Sequence, residues 1–286
     1  MSHQPITPDL RRWIVEQAQA AQPPEAIVEA MMESGWNEAS AVAALEETLR
    51  QHLADHARQA ALPALPAPVA VPDPLPDGVR ASVWAHDREV SVLAALTDPR
   101  IVVFGNLISA EECDELIALA RARLARSETV QTDTGASEIN ESRTSQGMFF
   151  DRGEHPVCTH IEARMAALLR WPLENGEGLQ VLRYGVGAEY KPHYDYFDPE
   201  QAGTPVILRR GGQRVASLVC YLNTPPAGGE TVFPDVTLAV APVRGNAVFF
   251  SYDRPHPATR SLHGGAPVLE GEKWVATKWL REGRFE

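Results

Sequence analysis

Apolar residues recur at helical spacing early in this 286-residue chain and fall into short strand-length blocks beyond Leu179. Thr7-Pro8 pairs a capping hydroxyl with a proline that needs no amide partner, and Leu10, Ile14 and Ala18 follow at helical spacing. Pro24 opens a second helix carrying Ile27 and Met31, with Gly35 as its stop. Asn37 caps a third, with Val42, Leu45, Leu49 and Leu53 along one face. Residues 1–58 therefore read as a small three-helix module with Trp13 and Trp36 in its core. Proline then recurs at 63, 66, 68, 72, 74 and 76, which rules out sheet pairing or a continuous helix and predicts an extended, semi-rigid linker over 59–80. The remaining chain, 81–286, reads as a second domain.

That domain opens with strands around Val90 and Val92 and at Ile101-Val102-Val103-Phe104. Ser109-Ala110-Glu111-Glu112 has the form of a capping box and starts a helix through Cys113, Leu116, Ile117 and Ala120. Residues 127–142 are polar and predict a loop, and Pro156–Leu169 predict a second helix with Ile161, Met165 and Leu168 inward. Strands are expected at 179–184, 214–222, 236–240, 246–252 and 274–280, with the turns at Gly185, Gly187, Gly211, Gly212, Gly228 and Gly229. The apolar run Ala247-Val248-Phe249-Phe250 suits a strand covered on both faces. Helices first and many short strands later predict an α+β chain whose core is a double-sheet jelly roll backed by helices.

Composition narrows the partners. A formal charge of −12 argues against nucleic acid, which needs clustered Lys and Arg. Cys113, Cys158 and Cys220 show no paired spacing, so neither a zinc site nor a disulfide framework is expected. The first residues lack a basic-then-apolar leader and no apolar run reaches membrane-spanning length, so the expectation is a cytoplasmic protein with no membrane partner.

The candidate chemistry lies in Tyr190-Lys191-Pro192-His193-Tyr194-Asp195-Tyr196-Phe197. Positions i and i+2 of a strand share a face, so His193 and Asp195 can grip one ion. With nine histidines in the chain such a pair carries little weight alone, but His263 and then Lys273 follow downstream. Two imidazoles and one carboxylate on one side of a metal leave open positions, as in non-heme Fe(II) oxygenases. A nearby lysine can anchor a dicarboxylate. His256, between two prolines, is the rival ligand, and Lys278 the rival anchor. Lys273 and Lys278 are an odd number of residues apart, so only one can face inward from a regular strand.

These segments, with Gly212-Gln213-Arg214-Val215-Ala216-Ser217-Leu218 and Gly228-Gly229-Glu230-Thr231-Val232-Phe233-Pro234, resemble the prolyl 4-hydroxylase family of Fe(II)/2-oxoglutarate dioxygenases. The likeness keeps the motif order from residue 98 onward. It implies a double-stranded β-helix, Fe(II) held by His193, Asp195 and His263, and 2-oxoglutarate paired through its far carboxylate with Lys273. It prefers His263 over His256 and Lys273 over Lys278, gives Thr231 and Tyr184 a share in that grip, and places Tyr190, Arg214 and Trp279 beside the substrate. The readings without the family are a β-branched strand residue for Thr231, core packing with a satisfied hydroxyl for Tyr184, sheet packing for Tyr190 and Trp279, and a salt bridge for Arg214. The resemblance also makes 127–142 a lid and 143–149 a strand leading to the site.

The implied reaction consumes O2 and 2-oxoglutarate, with ascorbate as reductant, releases succinate and carbon dioxide, and hydroxylates a prolyl residue in a peptide or protein. Hydroxylation of a free amino acid or other small molecule is the alternative, and an iron- or 2-oxoglutarate-sensing binding protein with little turnover is a second. A tethered helical module that binds a protein partner, ubiquitin-associated in type, favours a macromolecular target.

Overall fold

The computed structural model describes residues 6–59, 65–126, 129–130, 137–138 and 144–286, and the chain divides into two units, Met1–Leu65 and Pro66–Glu286. In the first unit, α1 (Pro8–Gln19), α2 (Pro24–Glu33) and α3 (Glu38–Gln59) gather Ile14, Ile27, Met31, Ala41, Ala44 and Leu45 into a core, with Trp13 and Trp36 packed against it. The Thr7 hydroxyl accepts from the Leu10 amide at 3.2 Å, and the Asn37 side chain from the Ser40 amide at 3.0 Å, which supplies partners to otherwise orphaned first-turn donors. The inward face of α3 differs from the expected stripe. Ala41 and Ala44 are buried, whereas Val42 and Leu53 are 39% and 68% exposed. Leu45 is buried and Leu49 packs against the core as expected, so the inward stripe holds at its middle and takes Ala41 and Ala44 in place of Val42 and Leu53; small residues let neighbouring helices approach closely.

The expected linker is shorter than 59–80. Pro72, Pro74 and Leu75 are buried, the Val69 amide donates to the Asp253 carbonyl at 2.8 Å, and Asp73 pairs with Arg100 at 2.5 Å. Proline stiffens a chain, but its ring is apolar and here joins the second unit. That unit begins with β1 (Ser82–Ala85), β2 (Arg88–Leu96) and β3 (Ile101–Gly105), followed by α4 (Ala110–Arg121), whose Ser109–Glu112 capping box is fully formed. Next come β4 (Ala125–Arg126), β5 (Thr129–Val130), β6 (Ser137–Glu138), β7 (Gln146–Phe150) and α5 (Pro156–Leu169). Apart from β5 and β6, which pair with each other, the stretch expected as a lid lies outside the described residues.

The rest is mostly strand: β8 (Leu179–Tyr184), β9 (Tyr190–His193), the short α6 (Thr204–Ile207), β10 (Arg214–Tyr221), β11 (Ala227–Gly228) and β12 (Thr231–Phe233). Then follow β13 (Leu238–Val240), β14 (Ala247–Ser251), β15 (His263–Gly265), β16 (Val268–Glu270) and β17 (Lys273–Arg281). The strand expected from 236 starts at Leu238 because Thr237, at φ 52°, closes a 3-10 turn over Pro234–Val236.

A nine-stranded sheet runs β1-β2-β3-β14-β10-β17-β8-β7-β4, a four-stranded sheet runs β13-β12-β15-β9, and β11 pairs with β16. Alternation along the large sheet separates two cores. Ala216, Leu218, Cys220, Trp274, Ala276 and Phe249 face α4 and α5. From the other face, Leu182, Tyr221, Val248, Phe250 and Val275 meet Phe233 and Val240 of the small sheet. Because both faces are covered, the strands read as continuous apolar runs. Two antiparallel sheets over a shared core are the jelly-roll arrangement. The three cysteines are buried and free, and among the described residues no helix is long and apolar enough to cross a membrane.

Candidate active site

The small sheet brings the two imidazoles together, because β9 and β15 pair antiparallel with His263 opposite His193. Gly264 permits that pairing: a Cβ there would lie 2.9 Å from the Tyr190 carbonyl oxygen across the strands. Asp195 follows just past the end of β9, and ligand atoms of His193, Asp195 and His263 all lie within 4.8 Å of one another. Among the described residues this is the one such cluster of metal-ligating side chains. Nε2 of His193 is 3.5 Å from Asp195 Oδ1, and Nε2 of His263 is 3.4 Å from Oδ2.

Each ring is oriented through its other nitrogen. Nδ1 of His193 lies 2.9 Å from the Lys191 carbonyl, and Nδ1 of His263 lies 3.0 Å from the Ser261 carbonyl. A carbonyl only accepts, so Nδ1 carries the proton and the Nε2 lone pair is turned into the cluster. Burial lowers the pKa of His263 to about 4, which makes it a neutral ligand at neutral pH. Burial alone would raise the Asp195 carboxyl, but His263, His193 and Arg214 hold it well below the usual range, so it is a carboxylate. One anion and two neutral nitrogen donors suit a divalent first-row cation. His256 stands outside the cluster, where its Nδ1 accepts from the Ala258 amide at 3.0 Å and caps the 3-10 turn Pro257–Thr259.

The cluster opens into a cavity of about 450 Å³ including its mouth. Strand β17 lines it with Lys273, Val275, Thr277 and Trp279. The intervening residues face the helices, and there Lys278 Nζ sits 2.5 Å from Glu162. Lys273 is 4% exposed and stands opposite Tyr184 of β8. Its ammonium meets ring faces, 5.6 Å from the centroid of Tyr184 and 5.7 Å from that of Tyr221. Burial lowers its pKa to about 8, a shift opposed by the charge of Glu230. Tyr221 donates to the Thr231 hydroxyl oxygen at 2.7 Å, which leaves the Thr231 proton available to an acceptor in the cavity. A buried cation with hydroxyl groups beside it is a receptor for a carboxylate.

Tyr190 and Trp279 also line the cavity, and the Tyr190 ring stacks on His193 with centroids 3.6 Å apart. Arg214 is placed differently from the expectation of a substrate-side group. Its Nε and a terminal nitrogen grip Glu177 at 2.7 and 2.9 Å, and its guanidinium lies 4.0 Å from the Trp279 ring centroid. The salt-bridge reading describes this geometry: the buried Glu177 carboxylate is shared with Arg281, which bonds it at 2.7 Å, and the positive charge left over by the pair of guanidiniums acts on Asp195.

Sequence reasoning did not single out Ser217, whose hydroxyl donates to Asp195 Oδ2 at 2.6 Å, nor Tyr252, Tyr221, Thr277 or Glu177. The alternation of β10 was the available signal for two of them, because Ser217 and Tyr221 share the cavity-side parity with Val219.

The sequence model described as the 2OG-Fe(II) oxygenase superfamily matches residues 179–281. Prolyl 4-hydroxylase 2 of Arabidopsis thaliana is 40% identical over 211 residues, which cover 66% of this chain and 69% of that protein. Prolyl 4-hydroxylase 1 of the same plant is 41% identical over 227 residues, covering 70% of this chain and 78% of the relative. Among solved structures, a viral collagen prolyl hydroxylase from Paramecium bursaria Chlorella virus-1, in a 2-oxoglutarate complex, superimposes with a TM-score of 0.50 at 30% identity. That match covers 63% of this chain and 95% of the viral one.

Proposed function

Because the chain belongs to the prolyl 4-hydroxylase family of 2-oxoglutarate- and Fe(II)-dependent oxygenases, we propose that His193, Asp195 and His263 hold the iron, and that Lys273, Thr231 and Tyr184 hold 2-oxoglutarate. The protein is an enzyme, and its reaction is hydroxylation of a prolyl residue. When bound, iron and 2-oxoglutarate supply the oxidation: the 2-oxo acid is decarboxylated to succinate, and one oxygen atom of O2 enters a substrate C–H bond.

The chain's own residues do the rest. His193 and His263 present oriented Nε2 lone pairs, and Asp195 supplies the anionic ligand. Lys273 aligns a flexible dicarboxylate through its far end, and the apolar walls Leu182, Val219 and Val275 keep water from the reacting end. Tyr190 and Trp279 give a prolyl ring aromatic walls at the mouth, while Arg214 supports Trp279 from behind. The substrate is a peptide or protein, and the three-helix unit is a tethered module that binds a macromolecular target. The observation that carries this reading is a three-ligand cluster opening into the same cavity as the buried ammonium of Lys273.

Its test is succinate release by purified protein with Fe(II), ascorbate and 2-oxoglutarate, comparing a proline-rich peptide, free proline and no acceptor. Stimulation by the peptide alone is expected; stimulation by free proline alone would replace the peptide reading with a small-molecule one.

The buried ammonium also fixes a pH dependence. Lys273 is charged below its pKa of about 8, and 2-oxoglutarate binds the charged form. Affinity is therefore highest below that value, and between pH 7 and 9 the dissociation constant should rise about tenfold, the loss expected for one titrating group. Anaerobic titration of metal-loaded protein measures this. Lys273→Arg, charged throughout, should be flat over the window, and an equally flat wild type would contradict the assignment.

A further inference from the structure

Resting on the ligand assignment above, we propose that Ser217 and Tyr252 are positioning residues that form a hydrogen-bonded chain onto Asp195 and select the carboxylate oxygen it offers to the metal. Ser217 lies in the middle of β10 with its side chain on the cavity face, and it is 0% exposed. Its Oγ is 2.6 Å from Asp195 Oδ2 and 3.0 Å from the Tyr252 hydroxyl.

The direction of the chain follows from proton count. A serine hydroxyl has one proton, and a carboxylate can only accept. Ser217 therefore donates to Asp195, and Tyr252, 2% exposed and just past the end of β14, must donate to Ser217. A serine that accepts a bond becomes a better donor, and the low local dielectric strengthens both bonds. Oδ2 spends one lone pair on Ser217 while Oδ1 keeps both, so Oδ1 is the oxygen favoured for the metal; it lies on the His193 side, 3.5 Å from Nε2, and Oδ2 lies 3.4 Å from Nε2 of His263. A carboxylate held this way would offer the metal one oxygen in preference to both.

One hydroxyl lies on β10 and the other directly after its neighbour β14, with Ser217 paired to Phe250 two residues before Tyr252, so the register of the large sheet sets the position of a ligand that follows β9 of the small sheet. Removing either hydroxyl changes little volume: Ser217→Ala and Tyr252→Phe keep nearly all packing atoms. A role limited to packing would leave metal binding unchanged in both.

The test is titration of the full-length protein and these two variants with Co(II) alone, read by calorimetry and by the visible absorption of the bound ion, without turnover. Partners of this kind are worth about 10- to 100-fold in metal affinity. Ser217→Ala, which strips Asp195 of its donor, should weaken Co(II) within that range and change the visible band. Tyr252→Phe, which leaves the serine bond but weakens it, should lose less and fall between Ser217→Ala and wild type. Wild-type affinity and an unchanged band in both variants would overturn the proposal, and Tyr252→Phe alone decides it if Ser217→Ala fails to fold. His193→Ala serves as the reference: if it too binds Co(II) as wild type does, the ligand assignment itself is overturned.

Discussion

Replacing His263 with alanine is expected to abolish prolyl hydroxylation, lowering turnover on the order of a thousandfold or more, and to leave the protein folded but unable to retain iron. The ring is 5% exposed, its Nδ1 is fixed by the Ser261 carbonyl, and Phe250 packs 4.4 Å from it between centroids. No neighbour can replace its lone pair, because His256 is committed to its own turn. Asp195 keeps its bond from Ser217 and its contact with His193, so the variant does not strand a bare buried charge. Its cost in stability should stay within the 0.5–3 kcal/mol usual for single substitutions. Metal content, succinate release and thermal melting together check this. Activity within tenfold of wild type would remove His263 from the ligand set.

The two buried lysines of β17, on opposite faces of the strand, should part company when each is changed to alanine. Lys273→Ala is expected to raise the KM for 2-oxoglutarate about 100-fold, or about 2.7 kcal/mol, in the range of a hydrogen bond to a charged group. It should not lower stability, because burial already opposes the charged form of this lysine. Lys278→Ala should do the reverse. Glu162, with 1% of its side chain exposed, would lose its ammonium partner and keep only the Gly153 amide, a change that costs about 3–5 kcal/mol in buried pairs. Its KM for 2-oxoglutarate should change less than about twofold, since the group lies on the far face of the sheet. Melting curves and steady-state kinetics on both variants separate the roles. A Lys278→Ala enzyme with impaired co-substrate binding and unaltered stability would reverse the assignment.

That contrast depends on strand parity, which the sequence already carries in the five-residue gap between the lysines. The same local signals define α5 and β8, whose bounds coincide with the reading from sequence: Pro156 fixes the start of the helix, and a long apolar block marks the strand. Local order does not reveal what the sheet register creates. Arg214 and Glu177 are 37 residues apart, so nothing in the sequence near Arg214 says that it is paired with a buried carboxylate. Ser217 and Tyr252 meet Asp195 only after β10, β14 and the end of β9 converge. Strands β12, β15 and β16 have three residues each, too few to show a period, and they are found by their partners instead. On α3 the expected stripe holds at Leu45 and Leu49 and departs at its ends, where the close approach made possible by Ala41 and Ala44 leaves the larger Val42 and Leu53 outside.

The most direct test of the whole account is mass spectrometry of a proline-rich peptide incubated under ¹⁸O2 with the iron-loaded enzyme, 2-oxoglutarate and ascorbate, alongside His193→Ala. The account predicts one heavy oxygen atom on a prolyl residue, one succinate per modified peptide, and neither product from the variant. Peptide that stays unmodified while succinate accumulates would contradict prolyl hydroxylation of this substrate, and no succinate from iron-replete protein would contradict the oxygenase itself.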